Sequence, residues 1–127
     1  MTKVTKVKIK ENSAIVAEFV IQGLLEKKGK DIVCLDLREI DGAVCDYFII
    51  CHGDSTTQVS ALAESVENTV RIEMGEKPWN SEGQENSTWI LLDYSNVVAH
   101  VFLRDVREFY NLEELWADAN IREIESE

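Results

Sequence analysis

The sequence predicts a single α/β domain in which helices pack on a mixed β-sheet. The chain has 127 residues, which is the length of one ordinary domain. Its apolar residues follow helical spacing in some segments and form strand-like runs in others, in the order α-β-β-α-β-β-α. No internal repeat, low-complexity segment or interdomain linker divides the chain. These observations favour one domain built around a central sheet.

The first part of the chain is predicted to contain a tail and a helix. Residues 1–11 hold four lysines and are expected to form a flexible basic tail. The folded domain is expected to span residues 12–119. Asn12 or Ser13 can cap a helix whose apolar residues recur at helical spacing, and Gly29 is a plausible stop.

Two strands and a second helix are predicted to follow. The strands are the apolar runs 31–37 and 46–53, which are typical of strands covered on both faces. The connection between them is too short for a parallel crossover, so as neighbours they would be antiparallel. Ser55 and Gln58 then form a capping-box pattern at the start of an amphipathic helix.

The last part of the chain is predicted to add a hairpin and a final helix. Residues 76–87 are expected to form a loop, and a short turn joins two strands at 88–94 and 97–103. Residues 111–119 are expected to be helical, and residues 120–127 to form an acidic tail. A right-handed, parallel crossover from the second to the third strand would complete a mixed four-stranded sheet.

The charge distribution favours a basic partner. The chain has 13 basic and 24 acidic residues, a net charge of −11. Residues 1–30 have a net charge of +4, whereas residues 31–127 have a net charge of −15. A body this acidic repels phosphate backbones, so binding to bare nucleic acid is not expected, and a basic protein is favoured. The alternative is that the charge only keeps the protein soluble.

Cellular location is predicted from what the sequence lacks. No apolar run approaches the roughly 20 residues needed to cross a membrane. The N-terminus is basic but has no apolar signal-peptide core. The three cysteines lie in apolar segments, and an odd count argues against a disulfide scaffold. A cytoplasmic protein is the simplest interpretation.

Residues that could support catalysis or hold a metal are few and poorly spaced. Cys45, Cys51, His52 and His100 lack the close pairing of zinc sites, so no metal is expected. Cys51 and His100 could form a nucleophile pair, but nothing in their spacing selects them. The turn HGDST could hold a phosphate at the start of a helix, yet Asp54 adds negative charge there and no acidic pair follows. No nucleotide-binding fingerprint occurs, so no cofactor is expected.

Large aromatic residues are concentrated near the C-terminus. Aromatic side chains are more often core than surface, but Trp and Tyr are also enriched at the centres of protein interfaces. Some of them are therefore expected to line a recognition patch. Besides Tyr94, five of them lie within 28 residues: Trp89, Phe102, Phe109, Tyr110 and Trp116.

Three stretches of the chain carry distinctive motifs. They are CDYFIICHGDSTTQVSALAESV, EGQENSTWILLDYSNVVAHVF and REFYNLEELWADA. Together they resemble the ribosomal silencing factor family, also called Iojap-like proteins, from the first helix to near residue 119. The departures are modest: Cys51 and His52 stand where small residues are more usual, and the Lys-rich tail is an individual feature.

The resemblance implies a fold and a function. It implies a nucleotidyltransferase-like α/β fold without catalytic machinery, which agrees with the missing acidic pair. It also implies binding to the basic large-subunit ribosomal protein fourteen, on the face that meets the small subunit. The bound factor would block subunit joining and lower translation when nutrients are scarce. The resemblance further implies a homodimer when the protein is free, with no cofactor and no enzyme activity.

A partner-binding surface is expected on the hairpin and the segment that follows it. Its apolar centre is expected at Trp89, Leu92 and Tyr94, although alternation along a strand places Trp89 on the opposite parity from the other two. Twist at a strand end could still bring them together. The full set of expected partner-binding residues is Glu82, Trp89, Leu92, Asp93, Tyr94, His100, Arg107, Tyr110 and Glu113.

Two rival functions are left open. A dimeric protein-binding scaffold would show no preference for ribosomal particles. A nucleotidyltransferase would need a metal-binding carboxylate pair close to Ser55, and the sequence has none there.

Overall fold

The computed structural model describes residues 2–125, with side chains described from Ser13 onward. The chain forms four helices and six strands within that range. In chain order they are α1 (Thr2–Glu26), β1 (Lys30–Asp36), β2 (Tyr47–Gly53), α2 (Thr56–Met74), β3 (Asn80–Glu82), β4 (Trp89–Asp93), β5 (Val97–Leu103), α3 (Arg104–Tyr110), α4 (Leu112–Leu115) and β6 (Asn120–Glu123).

The strands form one mixed sheet with the order β3-β4-β5-β2-β1-β6. The predicted α/β class with a mixed sheet is confirmed, but the sheet has six strands rather than four. The two additional strands are the edges: β3 lies in the predicted loop, and β6 lies in the predicted acidic tail. Both are short and exposed along their whole length, so neither shows the apolar pattern from which strands are predicted.

The direction of the strands follows from their connections. β1 and β2 are antiparallel, as predicted from the short segment between them. β2 is parallel to β5, whereas β4 is antiparallel to β5 and does not touch β2. The predicted parallel crossover from β2 to the next long strand is therefore wrong. The chain runs to the edge of the sheet through α2 and β3, and only its return strand β5 lies beside β2.

Each face of the sheet has its own apolar cluster. α1 and α2 cover one face, with Leu24 and Leu62 packed over sheet residues such as Ile49. The opposite face carries Phe48 and Phe102, over which α3, α4 and the segment 37–46 pack. Strand β2 is buried at every position because it lies at the centre and is covered on both sides.

The boundaries of the two predicted tails need correction. The backbone of the predicted basic tail is helical from Thr2, so α1 is longer than the helix predicted from Asn12. The tail contains no Pro or Gly that would stop a helix from extending into it. Residues 120–123 of the predicted acidic tail form β6, which pairs with β1.

The segment after the hairpin forms two short helices, where a single helix over residues 111–119 was predicted. Arg104–Tyr110 forms α3, which was not predicted, and only one turn of the predicted helix remains as α4. Asn111 separates them in a left-handed conformation with φ of 46°, which Asn tolerates better than most residues. The cap of α2 is confirmed, because the Ser55 side chain accepts a hydrogen bond from the Gln58 N–H.

Candidate protein-docking surface

A cluster of aromatic rings joins the hairpin to α3. The Trp89 ring lies 4.8 Å from the Phe102 ring and 4.8 Å from the Tyr110 ring, measured between centroids. Phe48 packs edge-on against His100 at 4.8 Å. Trp89 is half-buried in this cluster, and Tyr110 covers it from the solvent side. The cluster therefore anchors α3 against the face of the sheet that α1 and α2 leave uncovered.

His100 fixes the orientation of the Trp89 ring. The Trp89 Nε1–H donates a hydrogen bond to His100 Nδ1 at 3.1 Å, so the proton of the neutral imidazole is on Nε2. Burial lowers the pKa of His100 to about 4, so the ring is neutral near pH 7. The Nε2 atom is buried, and it has no hydrogen-bond partner in the described part of the chain. His100 is thus a structural group beneath the surface and not a partner contact.

An apolar patch is exposed on α3 and α4. Phe109 is 81% exposed, Leu115 is 73% exposed and Tyr110 is 51% exposed. The Phe109 and Tyr110 rings contact each other at right angles, with 5.1 Å between centroids. We call these three residues the aromatic patch. Large apolar side chains grouped on a surface are typical of protein interaction sites.

Carboxylates flank the aromatic patch on both helices. Glu108 precedes Phe109 and Glu114 precedes Leu115, and both are exposed. Among the side chains of residues 13–125, neither carboxylate forms an ion pair, although Glu114 accepts a hydrogen bond from the Asn111 side chain. An apolar centre with an acidic border suits a basic protein surface.

Arg107 belongs to a buried network behind the aromatic patch. Its guanidinium donates to Glu113 Oε2 at 3.0 and 3.3 Å and to the Lys30 carbonyl at 3.3 Å. It also lies 3.0 Å from His52 Nδ1, which accepts the hydrogen bond because a guanidinium only donates. Burial and the charge of Arg107 lower the pKa of His52. Arg107 and Glu113 therefore tie α3 and α4 to the sheet, and only part of Glu113 is accessible.

The predicted apolar centre of the binding surface is wrong in one essential respect. Leu92 is fully buried beneath α1 and α2, and Tyr94 packs against the same cluster. Trp89 lies on the other face of the sheet. Successive side chains of a strand alternate between faces, and neither twist nor the sheet edge overcomes this alternation here. Leu92 and Tyr94 cannot share a patch with Trp89.

Two predicted acidic residues have different surroundings. Asp93 Oδ1 accepts a hydrogen bond from the Ser95 N–H at 2.7 Å, where it stabilises a turn in which Ser95 has a φ of 77°. Glu82 is exposed on β3, opposite Leu91. Asp93 therefore has a local structural role, whereas Glu82 remains available to a partner.

Phe109 and Leu115 were not among the predicted binding residues. Phe109 was one of the aromatics left open between the core and a recognition patch, whereas Leu115 was not singled out. Each follows directly after a glutamate, and α3 also carries the buried Arg107, whereas α4 has no fully buried residue. Within α3, Arg107 and Phe109 are two positions apart, which places them on different faces of the helix.

The groups considered for catalysis are not arranged for it. Cys51 faces α1 and α2, whereas His100 faces the opposite side of the sheet, so they cannot form a nucleophile pair. Burial raises the pKa of the Cys51 thiol to about 12. Asp54 forms an ion pair with Arg104 at 2.6 Å, and Ser55 caps α2. Within residues 13–125, no three His, Cys, Asp or Glu side chains are grouped as metal ligands would be.

The described helices can also be compared with membrane-spanning helices. None of the helices described there has both the length and the apolar character of a membrane span.

Comparison with known proteins identifies the fold and the family. The family model described as "Ribosomal silencing factor during starvation" matches residues 10–127. The chain is 41% identical to ribosomal silencing factor RsfS of Bacillus subtilis over 100 residues, which are 79% of this chain and 83% of the relative. A crystal structure of a Chromobacterium violaceum protein aligns with a TM-score of 0.77 at 38% identity, over 82% of this chain and 85% of that one.

A more distant relative comes from mouse. It is named mitochondrial assembly of ribosomal large subunit protein 1 and is 27% identical over 95 residues, which are 73% of this chain and 42% of the relative.

Fold and surface define a small mixed-sheet α/β protein that exposes a candidate docking patch with acidic neighbours. The comparisons make the assignment specific, because the family model covers nearly the whole chain. The chain belongs to the ribosomal silencing factor family, and this membership supports a role in ribosome silencing.

Proposed function

We propose that the protein represses translation under nutrient limitation by binding the large ribosomal subunit and sterically blocking its joining to the small subunit. The family match over residues 10–127 is the observation that carries this proposal. The name of the mouse relative, which refers to the large subunit, supports the choice of particle. The binding partner on that subunit is the basic ribosomal protein fourteen, in the cytoplasm.

The aromatic patch is the proposed contact with ribosomal protein fourteen. Phe109, Tyr110 and Leu115 are exposed apolar side chains, and their carboxylate neighbours complement a basic protein. Trp89 and His100 act from beneath by holding Tyr110 in place. Of the acidic residues predicted from the sequence, Glu82 and the accessible part of Glu113 remain proposed contacts.

The proposed mechanism is steric and needs no covalent chemistry. A bound domain on the face of the large subunit that meets the small subunit occupies space that the small subunit requires. We further propose that the free protein is a homodimer. The competing function is a dimeric protein-binding scaffold with no preference for ribosomes. Such a scaffold would co-sediment with large subunits no more than with unrelated particles.

Sedimentation of purified subunits tests this proposal. The protein in excess is expected to co-sediment with large subunits and to reduce the formation of joined ribosomes. The double variant Phe109→Ser/Leu115→Ser should weaken binding by about tenfold or more, as loss of a central apolar contact typically does. Trp79→Ser is the matched control. Trp79 is also 81% exposed, but it lies directly before strand β3, whereas Phe109 lies on α3.

The outcomes separate the alternatives. If wild-type protein leaves subunit joining unchanged, the proposed function is wrong. If the control variant loses binding while Phe109→Ser/Leu115→Ser retains it, the function stands and the proposed location is wrong.

A further inference from the structure

A cavity of about 770 Å³ lies beside α3, on the face of the sheet that α3 and α4 partly cover. Its floor is formed by the end of β2, the start of β1 and the end of β6. Its wall is formed by α3 and by the junction between α3 and α4. We call it the α3 cavity. The three residues of the aromatic patch do not line it.

The α3 cavity lies where open α/β sheets commonly bind small ligands. β2 and β5 are adjacent and parallel, so their carboxyl ends meet at one end of the sheet. From β2 the chain continues into α2 on one face, whereas from β5 it continues into α3 on the other face. Neighbouring strands whose connections diverge in this way leave a crevice outside their carboxyl ends. His52, close to the end of β2, and Arg104, directly after β5, both line the cavity.

His52 provides a hydrogen-bond donor at this crevice. The residue is only 6% exposed, and its Nδ1 accepts a hydrogen bond from Arg107 at 3.0 Å, so the neutral ring has its proton on Nε2. Within residues 13–125, the Nε2–H has no hydrogen-bond partner. Arg104 pairs with Asp54 at 2.6 Å, but its guanidinium has further N–H donors. This end of the cavity therefore suits a carboxylate.

The side of the cavity toward β6 is acidic. Glu123 lies opposite Val33 across the β6–β1 pair, and Val33 belongs to the apolar cluster on the face covered by α3 and α4. Asp31 and Glu108 also line the cavity. None of these three carboxylates forms an ion pair with another side chain in the range 13–125. Carboxylates without a basic partner attract a cationic group, to which they form strong hydrogen bonds.

The two ends of the cavity are separated by the length of a small ligand. β1 lies between β2 and β6, so His52 and Glu123 are on strands roughly 10 Å apart, which is twice the strand spacing. Both side chains reach into the space between them and shorten this gap. An extended arginine or lysine has its α-carboxylate at one end and its side-chain cation at the other. A nucleotide is disfavoured, because its phosphates would meet the unpaired carboxylates of the cavity.

We propose that the α3 cavity binds a free basic amino acid, either arginine or lysine. The α-carboxylate of the ligand accepts hydrogen bonds from the His52 Nε2–H and from Arg104. The side-chain cation lies against Glu123. Asp31 and Glu108 offset the second positive charge, which is on the α-ammonium group of the ligand.

Calorimetric titration of the full chain with small molecules tests the ligand class. L-arginine or L-lysine is expected to bind at one site. Agmatine is arginine without the carboxylate, and L-citrulline is arginine with a neutral side chain. Each should bind at least about tenfold more weakly than L-arginine, because each loses a charge-assisted contact.

These compounds also distinguish a free amino acid from a basic side chain of a docked protein. A side chain offers the cation without the carboxylate, so agmatine that binds as tightly as L-arginine would overturn the proposal in favour of such a side chain. Citrulline that binds equally well, or no binding of either basic amino acid, would also overturn it.

A pair of variants tests the location. Glu123→Gln removes the charge that meets the side-chain cation and should weaken L-arginine binding by about tenfold or more. Glu39→Gln is the matched control, because Glu39 is exposed in the turn that follows β1, at the other end of that strand from the cavity. Circular dichroism confirms that both variants are folded. Normal binding by Glu123→Gln, or an equal loss in Glu39→Gln, would show that the site is elsewhere.

The titration requires no ribosome, so its result is independent of the proposed silencing function. Protein that binds L-arginine but leaves subunit joining unchanged would reject only the silencing mechanism. Protein that blocks subunit joining but binds neither basic amino acid would reject only the ligand site.

Discussion

At the scale of single residues, two buried polar groups explain how α3 is attached to the sheet. His100 accepts the Trp89 indole hydrogen bond, and Arg107 donates to His52, Lys30 and Glu113. Histidine and arginine in such positions look like functional groups in a sequence, because they are chemically versatile. Their burial shows that they support a surface and are not part of it.

His100 makes the stability of the fold depend on pH. The pKa of this ring is about 4 in the folded chain, against an ordinary value of 6.5, because burial disfavours the charged form. Between those values the unfolded chain binds more protons, so stability decreases as the pH falls from 6.5 toward 4. We expect His100 to account for roughly 2–3 kcal/mol of the loss between pH 7 and pH 4.5.

Urea unfolding of wild-type protein and His100→Gln at both pH values measures this contribution. The glutamine can accept the Trp89 hydrogen bond but does not titrate, so the variant should lose less stability on acidification. Equal losses in the two proteins would show that His100 contributes nothing to the acid response.

Arg107 is expected to be costly to remove. Arg107→Ala leaves Glu113 as a partly buried carboxylate without its counter-ion, and such losses typically amount to about 3–5 kcal/mol of unfolding free energy. The exposed pair Arg104–Asp54 provides the control, because its side chains are 53% and 48% exposed. Arg104→Ala should cost less than about 1 kcal/mol. Chemical denaturation compares the two, and similar losses would mean that the Arg107 network is not a major support.

At the scale of elements, the close approach of α1 and α2 depends on Gly23. A Cβ atom at this position would lie 2.8 Å from the Val66 Cα, which belongs to the backbone of the neighbouring helix. The Gly23 carbonyl also accepts a hydrogen bond from the Ser65 hydroxyl at 2.7 Å. Only glycine allows the two helices to approach this closely.

Gly23→Ala is therefore expected to destabilise the fold by about 1–3 kcal/mol, since inserted core atoms force the backbone apart. The opposite effect would follow if helix propensity dominated, because Ala is favoured over Gly by about 1 kcal/mol within a helix. Gln22→Ala, at the exposed neighbouring position, is the control and should be nearly neutral. Thermal unfolding of Gly23→Ala at or above the wild-type midpoint would contradict the expectation.

The elements predicted correctly are those with strong apolar patterns. α2 with its Ser55 cap, β1, β2 and the β4–β5 hairpin all carry periodic or continuous apolar residues, and the structure contains each of them. β3 and β6 have no such pattern, since both are exposed edges held by backbone hydrogen bonds to a neighbour. Pairing that depends on the backbone leaves little trace in side-chain composition.

The surface was harder to predict than the fold. Strand parity correctly warned that Trp89 and Leu92 face opposite ways, yet it could not show which face α1 and α2 cover. Only the packed helices decide that Leu92 is core and that Phe109 is exposed. Resemblance to a family supplied the function, but the positions of individual contacts depend on packing that the sequence leaves undetermined.

At the scale of the whole molecule, the excess of acidic residues gives the protein a long-range negative field. Residues 31–127 have a net charge of −15, because their acidic residues far outnumber their basic ones and most carboxylates there have no basic partner. Such a field accelerates encounter with a basic protein and contributes less to the lifetime of the complex. It also disfavours capture by the phosphates of ribosomal RNA.

Reversing charge beside the aromatic patch should therefore slow association with ribosomal protein fourteen. We expect Glu108→Lys/Glu114→Lys to lower the association rate constant by roughly fivefold or more at low salt, with little change in the dissociation rate constant. Glu113 is unsuitable for this test, because its carboxylate pairs with buried Arg107. Near 1 M salt the Debye length falls to about 3 Å, so variant and wild-type rates should converge.

The matched control makes the same change in net charge elsewhere. Glu26→Lys/Glu64→Lys alters two exposed glutamates on α1 and α2, which cover the opposite face of the sheet from the aromatic patch. Surface plasmon resonance at several salt concentrations gives both rate constants for each protein. A smaller effect of the control is expected, since screening confines the strongest attraction to charges within about 8–10 Å of the contact at ordinary salt. If both variants slowed association equally, the net charge alone would account for the attraction of the partner. The charges beside the aromatic patch would then give no support for placing the partner on α3 and α4.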